Sequence, residues 1–141
     1  MAPQKGVDGK LALSLPMGDK KLPGIAVEDI GKSAYAIFKR GNEFIGKTVG
    51  ISGEHLTGKE IADSFAKAFG QDVAYNAVPF DVYRGLGFDG AEDLGNMFQF
   101  FHDFEDYFSG ARSIEFTKSL NPSLQNFKSW LEENKSKIPL E

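Results

Sequence analysis

The sequence predicts an α/β fold with a few parallel strands and about five helices. Three observations predict it. Between Leu11 and Leu86, short apolar runs alternate with amphipathic stretches in the order strand, helix, strand, helix, strand, helix. Helical crossovers of that kind bring successive strands into parallel pairing. Thr57 to Gly70 carries both the start and the stop signals of a helix. Finally, the 141 residues are 41% apolar and 26% charged with no Cys, which fits one globular domain and excludes a disulfide scaffold, a thiolate metal site and a cysteine nucleophile.

Residues 1–10 are polar and contain glycine, so they are expected to form a loose lead-in. Leu11-Ala12-Leu13-Ser14-Leu15 is a strand stopped by Pro16, followed by a charged turn from Met17 to Pro23 and a second short extended piece at Ile25-Ala26-Val27. A helix is expected from Glu28 to Arg40. Val27, Ile30, Ala34, Ile37 and Phe38 share one face, Glu28 and Asp29 suit its positive end, and Lys39-Arg40-Gly41 closes it. Thr48 to Gly53 reads as a strand bounded by glycines.

In the Thr57–Gly70 helix, Thr57 and Glu60 form a capping box, Ile61, Phe65 and Phe69 recur every four residues, and Gly70 is a left-handed stop. Val73 to Val78 is a strand and Pro79 to Leu86 a short helix. A single aromatic helix is expected from Ala91 to about Phe108, with Leu94, Met97, Phe98, Phe101, Phe104 and Phe108 on one stripe. Asn121 as N-cap and Pro122 at the first position start a terminal helix presenting Leu124, Phe127, Trp130 and Leu131. No repeat or linker divides the chain, so residues 1–141 are expected to form one domain.

With 16 basic and 20 acidic residues, the net charge of −4 is the wrong balance for neutralising phosphates along nucleic acid. No run approaches the ~18–20 apolar residues that span a bilayer, and MAPQKGVDGK has no apolar signal core. A cytoplasmic, possibly nuclear, protein with no membrane or direct nucleic-acid partner is expected. Aromatic crowding is the unusual feature: six aromatic side chains lie between Phe98 and Phe108. Such crowding is either core or contact surface, and Met97, Phe98, Phe101, Phe104 and Phe108 are the candidate partner or cleft residues.

Three nucleotide-site patterns occur, and each fails on context. Gly41-Asn42-Glu43-Phe44-Ile45-Gly46-Lys47-Thr48 has P-loop spacing, but a phosphate loop needs a strand before it and a helix after it. Here a helix precedes and a strand is expected to follow. Gly85-Leu86-Gly87-Phe88-Asp89-Gly90 has dinucleotide-loop spacing, yet it joins two expected helices. Tyr35 and Lys39, near Ser33, mimic the Tyr-x-x-x-Lys acid–base pair of short-chain dehydrogenases, with no upstream cofactor domain to serve. His55 and His102 lack metal-ligand spacing, and Asp103, Glu105 and Asp106 read as a solvated face. Catalytic, cofactor-binding and metal-binding residues are therefore expected to be absent.

Several runs resemble the second half of NmrA-like proteins. They are Leu13-Ser14-Leu15-Pro16-Met17-Gly18-Asp19, Val27-Glu28-Asp29-Ile30-Gly31, Ile45-Gly46-Lys47-Thr48-Val49-Gly50-Ile51-Ser52, Tyr83-Arg84-Gly85-Leu86-Gly87-Phe88, Asp93-Leu94-Gly95-Asn96-Met97-Phe98, Leu120-Asn121-Pro122 and Trp130-Leu131-Glu132. They fall in family order from about Gln4 onward.

The resemblance implies a partial Rossmann-like fold, the C-terminal half of an atypical short-chain dehydrogenase. In that family a glycine-rich N-terminal half binds NADP(H), the catalytic tyrosine is generally lost, and the protein is a redox-responsive regulator acting through partners. It implies that this chain lacks the NADP(H)-binding half, carries no cofactor residue of its own, and leaves a strand edge at Thr48–Ser52 and the apolar face of the Glu28–Arg40 helix open. A protein partner, or self-association through that edge and the aromatic helix, is the expectation. The alternative is an NADP(H)-dependent oxidoreductase using Tyr35 and Lys39.

Overall fold

The computed structural model describes residues 2–140. Strands β1 (Gln4–Lys5), β2 (Leu11–Leu15) and β5 (Val73–Ala77) form one sheet, and β3 (Lys21–Gly24) pairs with β4 (Glu54–Thr57) in a second. Helices α1 (Val27–Lys39), α2 (Gly58–Phe69), α3 (Phe80–Arg84), α4 (Ala91–Asp103), α5 (Glu105–Gly110), α6 (Ile114–Leu120) and α7 (Phe127–Asn134) surround them. The class is α/β as expected. Parallel pairing is realised between β2 and β5, with Leu11 opposite Val73 and Leu15 opposite Ala77, whereas β1–β2 and β3–β4 are antiparallel.

The core forms where the period-two face of β2 meets the four-residue stripe of α2. Leu11, Leu13 and Leu15 point to one side of the sheet and pack with Ile61, Ala62 and Phe65. Met17, Tyr83, Phe98 and Leu131 extend that cluster toward α3, α4 and α7. Phe65 anchors it, its ring 5.6 Å from Phe69 and edge-on to Phe127 at 5.2 Å.

The expected capping box of α2 is present. Thr57 Oγ1 accepts from the Glu60 N–H at 3.2 Å, Glu60 Oε2 accepts from the Thr57 N–H at 2.8 Å, and Gly70 ends the helix at φ 67°. Burial leaves no room for a side chain at its first residue, since a Cβ on Gly58 would collide with the Tyr75 ring.

Elsewhere the chain departs from its sequence-based outline. The lead-in is not loose within the described residues: Gln4 and Lys5 pair with Ala12 and Leu11, closing a hairpin that turns at Gly9 with φ 77°. Met1 lies outside the described residues. The second extended piece is β3, earlier than the expected Ile25–Val27, and Val27 already belongs to α1.

Thr48 to Gly53 forms no strand. A strand is held by a ladder, and this segment is held instead by single bonds. The Ser52 N–H donates to Thr117 Oγ1 at 3.0 Å, and the Gly53 N–H donates to the Gly24 carbonyl at 2.7 Å. Gly50 lies so close to the Ala111 carbonyl that only glycine fits.

The aromatic helix is two helices. Phe104 breaks the run at φ −118°, ψ 36°, leaving α4 and α5 separate. Asn121 starts no helix either. It caps the C-terminal end of α6, an element the sequence pattern did not reveal, and the N-cap of α7 is Asn126, whose side chain accepts from the Ser129 N–H at 2.8 Å.

Candidate functional site

Helix α1 is packed with its polar side inward. Asp29 and Ser33, one turn apart, are fully buried, while Val27, Ile30 and Phe38 are 76%, 44% and 82% exposed. The burial of Asp29 is specific. Its Oδ1 accepts from Asn121 Nδ2 at 2.9 Å and Lys32 Nζ at 3.0 Å, and its Oδ2 accepts from the Gln125 N–H at 2.8 Å. Burial pushes the carboxyl upward, but the Gln125 N–H, the Lys32 ammonium and the Asn121 amide outweigh that and hold it below its ordinary value.

Asp29 therefore clamps α1 to the connection between α6 and α7, and is not merely an acid suited to a helix end. The Asn121 side-chain oxygen in turn accepts from the Ser123 N–H and hydroxyl at 3.2 and 2.9 Å. Sequence reasoning missed this cluster. Asp29 and Ser33 at four-residue spacing were its one trace, and spacing does not say which side of a helix is covered.

The outcome is an apolar helix face turned to solvent. Val27, Ile30 and Phe38 follow helical spacing along it, and Tyr35, 65% exposed, stands beside them. Scattered exposed apolar residues are ordinary, whereas these four lie together along one side of α1.

The candidate aromatic residues divide between inside and outside. Phe98 is buried edge-on to Tyr83 at 5.5 Å, and Met97 and Phe101 pack against the core. Phe108 stacks on Phe101 at 3.9 Å and is covered by the Arg112 guanidinium at 3.6 Å. Phe104, 55% exposed, is the outward-facing member, next to exposed Phe100 and Tyr107. The break at Phe104 thus makes one stripe into a core wedge and a small outer patch.

The nucleotide patterns fall in an element order unlike that of a phosphate-binding loop. Residues 41–48 follow α1, pass through a 3₁₀ turn at Gly41–Phe44 and run into chain without regular structure, with Lys47 Nζ over the Phe44 ring at 5.8 Å. Among the described residues the next regular element after them is β4, not a helix. Residues 85–90 connect α3 to α4, which are joined by Arg84, held by Asp81 on its own helix and donating across the joint to Asn96 and Gln99. Lys39 Nζ lies 5.6 Å over the Tyr35 ring, on the open side of α1.

The two histidines lie apart, and no group of three or more His, Asp or Glu that could hold a metal ion occurs among the described residues. His55 Nε2 meets the Arg112 carbonyl at 2.9 Å, and His102 Nδ1 meets Asp103 Oδ1 at 2.9 Å. Glu105 is taken by the β3 entry. It accepts from the Lys21 N–H at 2.7 Å and pairs with Lys20 at 3.3 Å, and these bonds, the backbone one foremost, hold its carboxyl below the ordinary value. No helix among the described residues is long and apolar enough to cross a membrane.

Comparison with known proteins supports the same architecture. The structure of the negative transcriptional regulator NmrA in complex with NADP superposes at a TM-score of 0.70 with 20% identity, over 92% of this chain and 44% of that one. The Citrobacter sp. triphenylmethane reductase complexed with NADP(H) gives 0.69 and 18% over 86% of this chain and 44% of that one. A nucleoside-diphosphate-sugar epimerase from Staphylococcus aureus gives 0.66 and 23% over 86% of this chain and 43% of that one. The chain thus spans less than half the length of the solved proteins it matches. At these identities the superpositions establish the fold, and a family model, NmrA-like family, matches residues 1–131. This chain belongs to the NmrA-like family.

Proposed function

We propose that the chain is a non-catalytic, redox-sensor-type regulatory protein of the NmrA-like family that acts by docking a protein partner on the open face of α1. The observation that carries the reading is the inverted packing of that helix: Asp29 and Ser33 buried, Val27, Ile30 and Phe38 exposed. Burying three such side chains contributes several kcal/mol to an interface, at roughly 1.5–3 kcal/mol for each fully buried apolar side chain. By this reading NADP(H) is a ligand of longer family members, not of this polypeptide, and the protein works in the cytoplasm or nucleus.

In the absence of another protein the available partner is a second copy. Sedimentation of the chain at rising concentration should therefore show association, and Phe38→Asp with Val27→Asp should abolish it without altering the melting temperature. A monomer at every concentration up to ~1 mM, where even a bond of about −4 kcal/mol would register, overturns the reading.

A second reading, an NADP(H)-dependent oxidoreductase using Tyr35 and Lys39, takes its support from the fold shared with the Citrobacter sp. reductase. NADPH fluorescence titrated with the chain separates the two. Saturable binding that Tyr35→Phe or Lys39→Ala weakens would favour the enzyme.

A further inference from the structure

We propose that the cavity between α2, α7 and the β3–β4 sheet binds an apolar small molecule carrying a protonated amine, with Glu54 as its counter-charge. The cavity is about 390 Å³, inside the range of roughly 300–1,000 Å³ typical of small-molecule sites. Its walls include Leu22, Leu56, Phe65, Phe127, Trp130 and Ile138. The aromatic wall is ordered by stacking, with Phe127 and Trp130 11° from parallel at 6.3 Å and Phe65 edge-on to Phe127.

Glu54 sets the chemistry. It is half-buried and lines the cavity, and one of its oxygens, Oε2, accepts from the Phe127 N–H at 2.9 Å. That bond fixes the carboxylate at the start of α7 and leaves Oε1 for a further donor. Among the described residues Glu54 has no ion pair. Lys137 also lines the cavity; its ammonium bonds Asn134 Oδ1 at 3.0 Å and, among the described residues, forms no ion pair with Glu54. Among the described residues lining these mostly apolar walls, Glu54 is the one acidic side chain, so the complementary ligand is a hydrophobic body ending in an ammonium group. The cavity shares Val27 with the α1 face, but Ile30 and Phe38 do not line it, so Phe38→Asp tests partner docking apart from the cavity and failure of this proposal would leave the partner-docking reading standing.

Trp130 is the only tryptophan in the sequence and lies in the wall, which makes its fluorescence a direct readout. The probes are 1-adamantylmethylamine and its anionic counterpart 1-adamantanecarboxylate, added to the full chain and checked by calorimetry. The amine should shift Trp130 emission saturably and bind at least ~10-fold more tightly than the carboxylate, a difference of about 1.4 kcal/mol.

Glu54→Gln, whose amide oxygen can still accept from the Phe127 N–H, should weaken amine binding by a similar factor. Ala26→Phe, placed at the extended residue that lines the cavity before α1, should abolish it. Each variant must first show the unaltered circular dichroism spectrum, and Ile25→Phe replaces Ala26→Phe should that variant unfold. No saturable shift with the amine up to ~1 mM, equal binding of the carboxylate, or an unaffected Glu54→Gln would each overturn the proposal.

Discussion

Helices α1 and α2 are both amphipathic and nearly equal in length, at 13 and 12 residues, yet they bury opposite sides. In α2 the apolar stripe of Ile61, Ala62 and Phe65 faces the sheet and Lys59 and Asp63 pair in solvent at 2.7 Å. In α1 the buried residues are Asp29 and Ser33, and the stripe led by Val27 and Phe38 faces outward. Periodicity alone is blind to this difference, since it fixes which residues share a side but not what lies opposite. What lies opposite α2 is the apolar face of β2; what lies opposite α1 is α6 and the polar turn that follows it.

The largest test of the contrast is a pair of matching truncations. Phe65→Ala in α2 removes a ring at the centre of the core and should cost ~3–5 kcal/mol, whereas Phe38→Ala in α1 should change stability by no more than about 0.5 kcal/mol. Urea unfolding of the two variants reads both numbers. Equal losses would mean that α1 carries its stripe against the same core, and the contrast would be gone.

Next in size is the Asp29 clamp. Asp29→Ala leaves the Asn121 amide and the Gln125 N–H without their acceptor, and a buried group left so costs about 1–3 kcal/mol. The pH dependence gives an independent handle. Because the folded carboxyl lies below its ordinary value of 3.8, its contribution is complete above that value and is lost as pH falls through the folded pKa. Glu60 and Glu105 shift in the same direction, Glu60 chiefly through the Thr57 N–H. Acid titration followed by near-ultraviolet dichroism should therefore show stability falling below about pH 4, with a shallower fall in Asp29→Asn. An identical acid profile in that variant would separate Asp29 from the clamp.

How much of this was legible depends on whether the information is local. The capping box at Thr57 and Glu60, the Gly70 stop and the β2–α2–β5 alternation are written in neighbouring residues, and all are present in the structure. Thr48–Gly53 carries a strand-like pattern, yet the described residues supply no ladder for it. The aromatic run breaks at Phe104 because Phe101 and Phe108 stack across the bend, a contact that helical spacing does not disclose. Asn121 and Pro122 look like a helix start, but Asn121 is engaged by Asp29, 92 residues away in sequence. The cavity is of the same kind. Glu54 joins Phe127 across 73 residues, and nothing in the residues near either one announces the other.

A smaller effect concerns how the two helices begin. Thr57 gives α2 a side-chain cap, whereas Ala26 gives α1 none. Thr57→Ala should cost about 1 kcal/mol. Ala26→Ser, which adds an acceptor where α1 lacks one, should recover part of that amount in the opposite sense. Thermal melting of both variants checks the pair, and a neutral Thr57→Ala would show that packing against β2 and β5 alone holds α2 in place.

The smallest expected change has an unusual sign. Ser33 is fully buried on the inner side of α1, and its hydroxyl has no hydrogen-bond partner among the described residues. A buried hydroxyl without a partner works against folding, so Ser33→Ala should leave stability unchanged or raise it by up to about 1 kcal/mol. In α2 the corresponding deletion behaves differently. The Ser64 hydroxyl is on the exposed side and donates to the Glu60 carbonyl at 2.7 Å, so Ser64→Ala should be neutral through solvent replacement rather than through relief. Urea midpoints of the two alanine variants, compared at one pH, test this directly. A loss in Ser33→Ala would mean that the hydroxyl serves a bonded role inside α1, and that the polar side of this helix is held by more than Asp29.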